Sequence, residues 1–442
     1  MTRGAITVAG AAAIGVGGMM GAGLYSLLGV ATLTAGVWLP VAFLISGVVA
    51  SFSVYSYAKL GANFPSRGGA AFFLTRSFGD GLISGGLNVF QFLGWIIVMA
   101  LYAAGFAEYA RALLPWHTPD WSAKLIGVTL IAAVVVVNLA GSKLVTRSEL
   151  AVIGVQLAIL MVFVGVGLSK ADPGRFADNP NHTFVGLLIA AGLLYVNFEG
   201  FGVVTNSAGD MRHPSKELPT AMFLAVGLTL VVYVLVSVAV VMTMPVQDIE
   251  ANAGHALAAA GQAVLGKAGF FIVGFGALLA TVSGVNATMF GSANLAFMVA
   301  KRGQMPRGFT RDVFCGGTGA LYFAAALTAA FVLFFPLLAV GQMASLAFLI
   351  VYAMVSVGHL KVRRKTGAKA PLLWAAIVAN AALFGLLLFE TVRRGAVTTW
   401  LTLLVLLVVS FVWEYFYRRA TGRSQRGVAV LSAEEMADDS EP

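Results

Sequence analysis

Gly15-Val16-Gly17-Gly18-Met19-Met20-Gly21-Ala22-Gly23 places five glycines among nine residues, in the middle of an apolar run from Ala5 to Leu33. A glycine inside a helix is less favourable than alanine by about 1 kcal/mol, so this stretch is poor continuous helix. In lipid, a break there frees backbone N–H and C=O groups, which is tolerated only where they line a cavity or meet a ligand. A second stretch of the same kind, Asn197-Phe198-Glu199-Gly200-Phe201-Gly202, lies midway along the apolar run Phe184 to Ala208. Interrupted helices at corresponding places in two halves point to a secondary transporter, with the half-helix N-termini offered to an anionic group such as a carboxylate. Alternatively, the glycines permit close helix packing, as small-xxx-small surfaces do. The acidic residue beside the second stretch favours transport.

Outward from these two stretches, apolar runs able to cross a hydrocarbon core of about 30 Å recur along the chain. They predict twelve spans: Ala5 to Leu33, Leu39 to Leu60, Leu82 to Leu113, Leu125 to Ala140, Glu149 to Leu168, Phe184 to Ala208, Leu218 to Met244, Phe270 to Val299, Ala320 to Phe335, Met343 to Leu360, Leu372 to Glu390 and Thr398 to Tyr415. The two glycine-rich stretches therefore fall in spans 1 and 6. Of 442 residues, 59% are hydrophobic and 11% charged, against roughly 45–50% and about 25% in soluble domains. The fold class expected is an all-α integral membrane protein with no large extramembrane domain. The first run is too long for the core of a signal peptide and is kept as span 1. A single cysteine, Cys315, excludes an intramolecular disulfide and a Cys-rich metal site.

The basic residues set the orientation. Segments on the N-terminal side of the membrane hold 21 of the 28 Lys and Arg residues, including Arg3, Lys59, Lys301 and the run Lys361 to Lys369. The opposite segments hold the other seven, among them Arg111, Lys170, Arg393 and Arg394. The positive-inside rule then places both termini in the cytoplasm, in a multi-pass protein of the cytoplasmic membrane. The net charge of +9 is topological, and no nucleic-acid partner is needed to explain it. Residues 1–168 are expected to form a first five-helix repeat and 169–360 a second. Residues 361–419 supply spans 11 and 12, and 420–442 a cytoplasmic tail too polar to fold. Between spans 7 and 8, Asp248 to Gly266 is rich in helix formers and predicts a short helix over the outer face.

Four segments carry a resemblance to the amino acid–polyamine–organocation superfamily of transporters, covering nearly the whole chain. They are Gly17 to Tyr25, Pro65 with Gly68-Gly69, Gly200 to Ala208 running into His213 to Pro219, and Asn286-Ala287-Thr288 through Ala300 to Pro306. Within it the chain looks most like prokaryotic broad-specificity, proton-coupled amino acid permeases. The resemblance implies a five-plus-five inverted repeat with spans 11 and 12 peripheral. It implies that Met20, Gly21, Ala22 and Gly23 receive a substrate carboxylate, while Phe198, Glu199, Gly200 and Phe201 line the amine and side-chain end. Two departures stand out. Where those proton-coupled relatives carry a lysine in span 5, this chain has Gln156, and a neutral amide cannot shuttle a proton. Glu199 stands where they look apolar.

A carboxylate at mid-membrane costs about 2.5–3.5 kcal/mol on insertion scales, which makes Glu199 a functional candidate by default. It is expected to carry the coupled proton or to pair with a substrate ammonium; the structural alternative is a carboxylate satisfied by backbone donors at the break. Gln156 is expected near the first break, with Ser283 and Asn286 as neighbours in the coupling region, or else in an ordinary interhelical amide bond worth about 0.6 kcal/mol. Asn88 and Gln91 share a face of span 3 and are expected either to wet the pathway or to serve helix packing. Phe198, Phe201, Trp95 and Tyr102 are candidate occluding aromatics, and Glu108 with Arg111 a candidate interfacial ion pair.

No histidine spacing suits a metal or a nucleophile's base, and no phosphate-binding loop is present, so neither an enzyme nor ATP-driven transport is supported. The expected activity is import of amino acids by alternating access, with the proton as coupling ion and no cofactor. A sodium-independent exchanger, a carrier of amines or polyamines, and a non-transporting sensor are the alternatives.

Overall fold

Thr7 accepts a hydrogen bond from the Gly10 amide at 3.1 Å and so starts the first helix, satisfying one of the donors a helix N-terminus leaves free. That helix, α1 (Val8–Met20), and α2 (Gly23–Ala35) together make span 1. A computed structural model describes residues 6–21, 23–65, 69–115, 118–119, 121–140, 142–177, 183–301, 303–314 and 317–422. The tail beyond Arg426 and Cys315 lie outside these. Span 2 is α3 (Leu39–Asn63), and a short helix α4 (Gly69–Phe78) leads into span 3, α5 (Leu82–Leu113). Spans 4 and 5 are α6 (Trp121–Ala140) and α7 (Ser142–Ser169). Span 6 contains α8 (Phe184–Leu194) and α9 (Phe201–Val204), and span 7 is α10 (Pro214–Thr243).

After a short α11 (Val246–Ala251), α12 (Ala256–Lys301) folds back on itself at Gly266, where φ is +67°, so that its longer arm forms span 8. Gly261 and Gly269 face each other across that turn so closely that a Cβ on Gly269 would overlap the Gly261 carbonyl. An antiparallel pair, β1 (Asp312–Phe314) and β2 (Gly317–Thr318), precedes α13 (Gly319–Phe334). Then come α14 (Leu337–Thr366), α15 (Ala370–Arg393) and α16 (Val397–Ala420), spans 10 to 12.

Among the described residues, ten helical stretches are long and apolar enough to cross a membrane, one of them running from Gly23 to Asn63 through the end of span 1 and all of span 2. The shorter apolar helices α1 and α13 complete the twelve predicted spans. Burial sorts them into layers. In span 3 and span 6, 83% of the most apolar window is inside the protein, against 22% in α6 and α16. The outer helices present residues such as Val136, Val378 and Phe389 to their surroundings, as helices facing lipid do. The expected helix between spans 7 and 8 is present but wedged in, not laid over the top. A Cβ on Gly29 of α2 would overlap the Ala253 carbonyl, and Ile249, Leu257 and Ala260 are fully buried.

Candidate functional site

The first interruption is a true break. Gly21 follows α1 with φ −52° and ψ −93°, and α2 begins again at Gly23. The second keeps right-handed backbone angles throughout. After α8 the chain tightens into a 3-10 turn over Tyr195–Phe198, passes Glu199 and Gly200, makes the single turn of α9, and tightens again over Thr205–Asp210. Amides of Glu199, Gly202 and Val203 bond three residues back, to the carbonyls of Val196, Glu199 and Gly200. Span 6 is thus narrowed rather than unwound, a difference from the expected open break. Gly200 allows either geometry, and the i to i−3 bonds keep most amides satisfied in the interior.

The two interruptions touch. A Cβ on Gly200 would overlap the Gly18 carbonyl and the Met19 amide nitrogen, and one on Gly15 would meet the Val204 side chain. The packing role of the glycines and the break are therefore both present: Gly15, Gly18 and Gly200 bring backbones together, while Gly21 turns the chain. Carbonyls at the junction are capped by tyrosines from two other spans. The Tyr233 hydroxyl of α10 donates to Met19 O at 2.5 Å and reaches Asn197 O at 3.2 Å. Tyr352 of α14 donates to Glu199 O at 2.8 Å. These acceptors are not bare, as the sequence suggested, and what the junction leaves free lies on side chains and at the start of α2.

Of the residues expected to bind substrate, Met20, Gly21, Gly23, Phe198, Glu199, Gly200 and Phe201 are all buried at this junction. Ala22 lies outside the described residues. The Glu199 side chain is 1% exposed, and its Oε1 has no hydrogen-bond partner among the described residues. Phe201 stacks near Tyr352, ring centres 4.8 Å apart, and Tyr57 meets both rings edge-on at 5.2 and 5.3 Å. Trp95 joins this layer through Phe348, whereas Phe198 packs on Tyr233 at 5.4 Å. These aromatics seal the junction on the side of α3, α5 and α14.

The coupling candidates are less closely gathered. Gln156 is 2% exposed and its Nε2 has no partner among the described residues. It lies three residues beyond Ile153, which fills the space beside Gly17. Ser283 precedes Gly284, whose Cα would sit 3.5 Å from a Cβ on Gly21. Asn286 does not join them: its Oδ1 accepts from Asn138 of α6 at 2.8 Å, an ordinary interhelical amide bond. Asn88 likewise donates to Gln304 at 2.8 Å, and Gln304 to Asp80, fastening the loop after span 8 rather than wetting a pathway. Arg111 donates to Thr118, and Glu108 lies against Gly254.

Sequence reasoning passed over Tyr233 and the Asn197 side chain. Both carried a signal, since each is a polar group inside an otherwise apolar span.

One broken and one narrowed span crossing at a buried polar junction inside a bundle of apolar helices fit a membrane carrier, and the comparisons with known proteins agree. A family model described as amino acid permease matches residues 6–412, and the chain belongs to that family, within the amino acid–polyamine–organocation superfamily. An uncharacterized protein of Methanocaldococcus jannaschii is 31% identical over 421 residues, covering 94% of this chain and 95% of its own. The inner membrane transport protein YbaT of Escherichia coli is 30% identical over 365 residues, 81% and 84% of the two chains. Cationic amino acid transporter 1 of Arabidopsis thaliana is 25% identical over 367 residues, 79% and 61%. The protein is a transporter of the amino acid type.

Proposed function

We propose that this chain imports amino acids across the cytoplasmic membrane by alternating access, with both termini in the cytoplasm, and that Glu199 carries the coupled proton. The observation behind this is a carboxyl with one oxygen unpartnered, fully buried where the two interrupted spans meet. An uncompensated charge there is costly, so the group is most stable neutral or paired with a cation. A proton taken up from one side and given up to the other meets that requirement in each half of the cycle. Gln156 and Ser283 then serve as polar neighbours of the first break without titrating. Met20, Gly21, Ala22 and Gly23 meet the substrate carboxylate, and Phe198, Gly200 and Phe201 close over the rest.

Purified protein in liposomes, driven only by a pH gradient, tests this. Wild type accumulates amino acid against its gradient, faster as the outside is made more acidic. The Glu199→Gln variant loses that pH dependence and about tenfold or more in rate, because a carboxamide cannot take up and release the proton that completes the cycle. An unchanged rate and pH profile removes Glu199 from coupling. A cationic substrate preference abolished by Glu199→Gln, with no response to pH in wild type, shows instead that the carboxylate pairs with a substrate ammonium. Uptake that requires internal substrate identifies an exchanger, and binding without flux a sensor.

A further inference from the structure

Asn197 is 1% exposed, and both polar atoms of its carboxamide lack a hydrogen-bond partner among the described residues. A buried amide with neither its donor nor its acceptor used is rare, because each unpaired group forfeits its hydration without return. Its place in the fold is fixed from several sides. The Asn197 carbonyl is held by Tyr233. The side chain rests directly on Gly23, where a Cβ would overlap Oδ1 and approach Cγ to 2.9 Å. Gly23 is the first residue of α2, a helix of 13 residues. The first amides of a helix have no partner within it and carry the positive end of the helix dipole. The unused carboxamide therefore lies against the first residue of a helix whose leading amides have no partner within it.

We infer that the Asn197 carboxamide is a specificity-determining residue that reads both charged ends of an α-amino acid head group, beside the N-terminus of α2. This rests on the amino acid transport proposed above and narrows it. A carboxamide offers a donor and an acceptor about 2 Å apart on one rigid plane. An α-amino acid presents a carboxylate and an ammonium at similar spacing, so Nδ2 gives a proton to the carboxylate while Oδ1 accepts one from the ammonium. The amides of α2 supply further donors to the carboxylate alone. A substrate with only one of the two charges leaves one amide atom buried and unpaired, which the site rejects. Glu199 takes no part in this contact. On a 3-10 turn of three residues per revolution, side chains two apart leave the axis about 120° from each other.

Thermal stabilisation of the purified full-length protein by each of the twenty amino acids identifies the tightest binder. That compound is then compared with its own decarboxylated amine and its own deaminated acid, by equilibrium binding and by competition in liposomes. On wild type we expect each one-ended analogue to bind about 100-fold more weakly or worse, as loss of a hydrogen bond to a charged group implies. Asn197→Asp keeps the acceptor, removes the donor and adds a negative charge. It lowers amino acid affinity by about 100-fold while raising that for the amine about tenfold. Asn197→Leu, of similar size, loses the distinction altogether. Equal binding of amino acid and amine by wild type overturns the inference and needs no variant to fold. So does an Asn197→Asp protein that binds the amino acid as wild type does. If none of the twenty binds or is transported, the proposed function falls with it; if one binds but its amine binds as well, only the inference falls.

Discussion

Tyr233 has a single hydroxyl hydrogen, shared between two carbonyls that belong to different interrupted spans. Its ring is fully buried and packs between Phe43 and Phe198 at 5.2 and 5.4 Å. Replacing it by phenylalanine keeps that packing and leaves Met19 O and Asn197 O without the shared donor. A buried acceptor stripped of its partner costs about 1–3 kcal/mol, so Tyr233→Phe is expected to melt earlier in detergent and to lose transport more than expression. A variant as stable and as active as wild type shows that the bond does not hold the junction. The residues at the junction were only partly readable from the sequence. Glu199 announces itself because a carboxylate at that depth is a functional candidate by default. Asn286 and Asn88 are polar at similar depth, yet each is bonded to an amide elsewhere in the fold, Asn286 to Asn138 of α6 and Asn88 to Gln304 in the loop after span 8. A helix that is apolar all round does not reveal which face turns inward, so a polar residue on it cannot be assigned to the substrate or to a neighbour.

The helices themselves were far more readable, because bilayer thickness fixes the length of an apolar run. Glycine density located the break in span 1, but the same density served two purposes that sequence alone does not separate. Gly18 and Gly200 are contact glycines at the crossing of α1 with span 6, and Gly21 is the one whose backbone leaves the helix. A contact glycine and a lipid-side glycine respond oppositely to alanine. On Gly200 the added methyl meets the backbone of Gly18 and Met19, which cannot rotate away. We expect Gly200→Ala to push the two spans apart, with a loss of about 3 kcal/mol or more and no uptake. Gly227 of α10 is exposed and nothing lies near its missing Cβ. Gly227→Ala is expected to be neutral or to stabilise by up to about 1 kcal/mol through helix propensity. Thermal inactivation half-lives of the two variants, measured side by side with uptake, check both; equal behaviour would mean that the close approach at Gly200 is not what joins the spans.

Spans 11 and 12 are attached to the wall of the junction by specific contacts. Asn380 of α15 donates to Ser53 of α3 at 3.0 Å, and Ser53 pairs with Tyr195 at 2.8 Å, at the very point where span 6 narrows. Gly192, two residues before α8 ends, sits against Leu383 O and Leu387 of α15, so α15 forms the outer wall of the interrupted span. At its far end the carboxylate of Glu390 is gripped by Arg393 and Arg394, closing the turn into α16. In turn, α16 seats Phe411 and Glu414 on Gly86 and Gly85 of α5 and reaches Met305 O through Tyr417 at 2.9 Å. Removing both helices would expose the wall of α8, unpair Ser53 on one side and uncover two glycines at the start of the most buried span. A chain ending at Ala368 is therefore expected to insert, since its remaining spans keep their apolar length, but to aggregate on extraction. In the same test Asn380→Leu, which keeps the wall and removes only the bond to Ser53, should extract normally with a modest loss of about 1 kcal/mol in stability. Size-exclusion profiles of the two proteins in mild detergent decide the matter. A truncated protein that elutes as a single peak and still transports would establish that the ten-span unit stands alone and that the contacts of α15 with α8 are incidental to it.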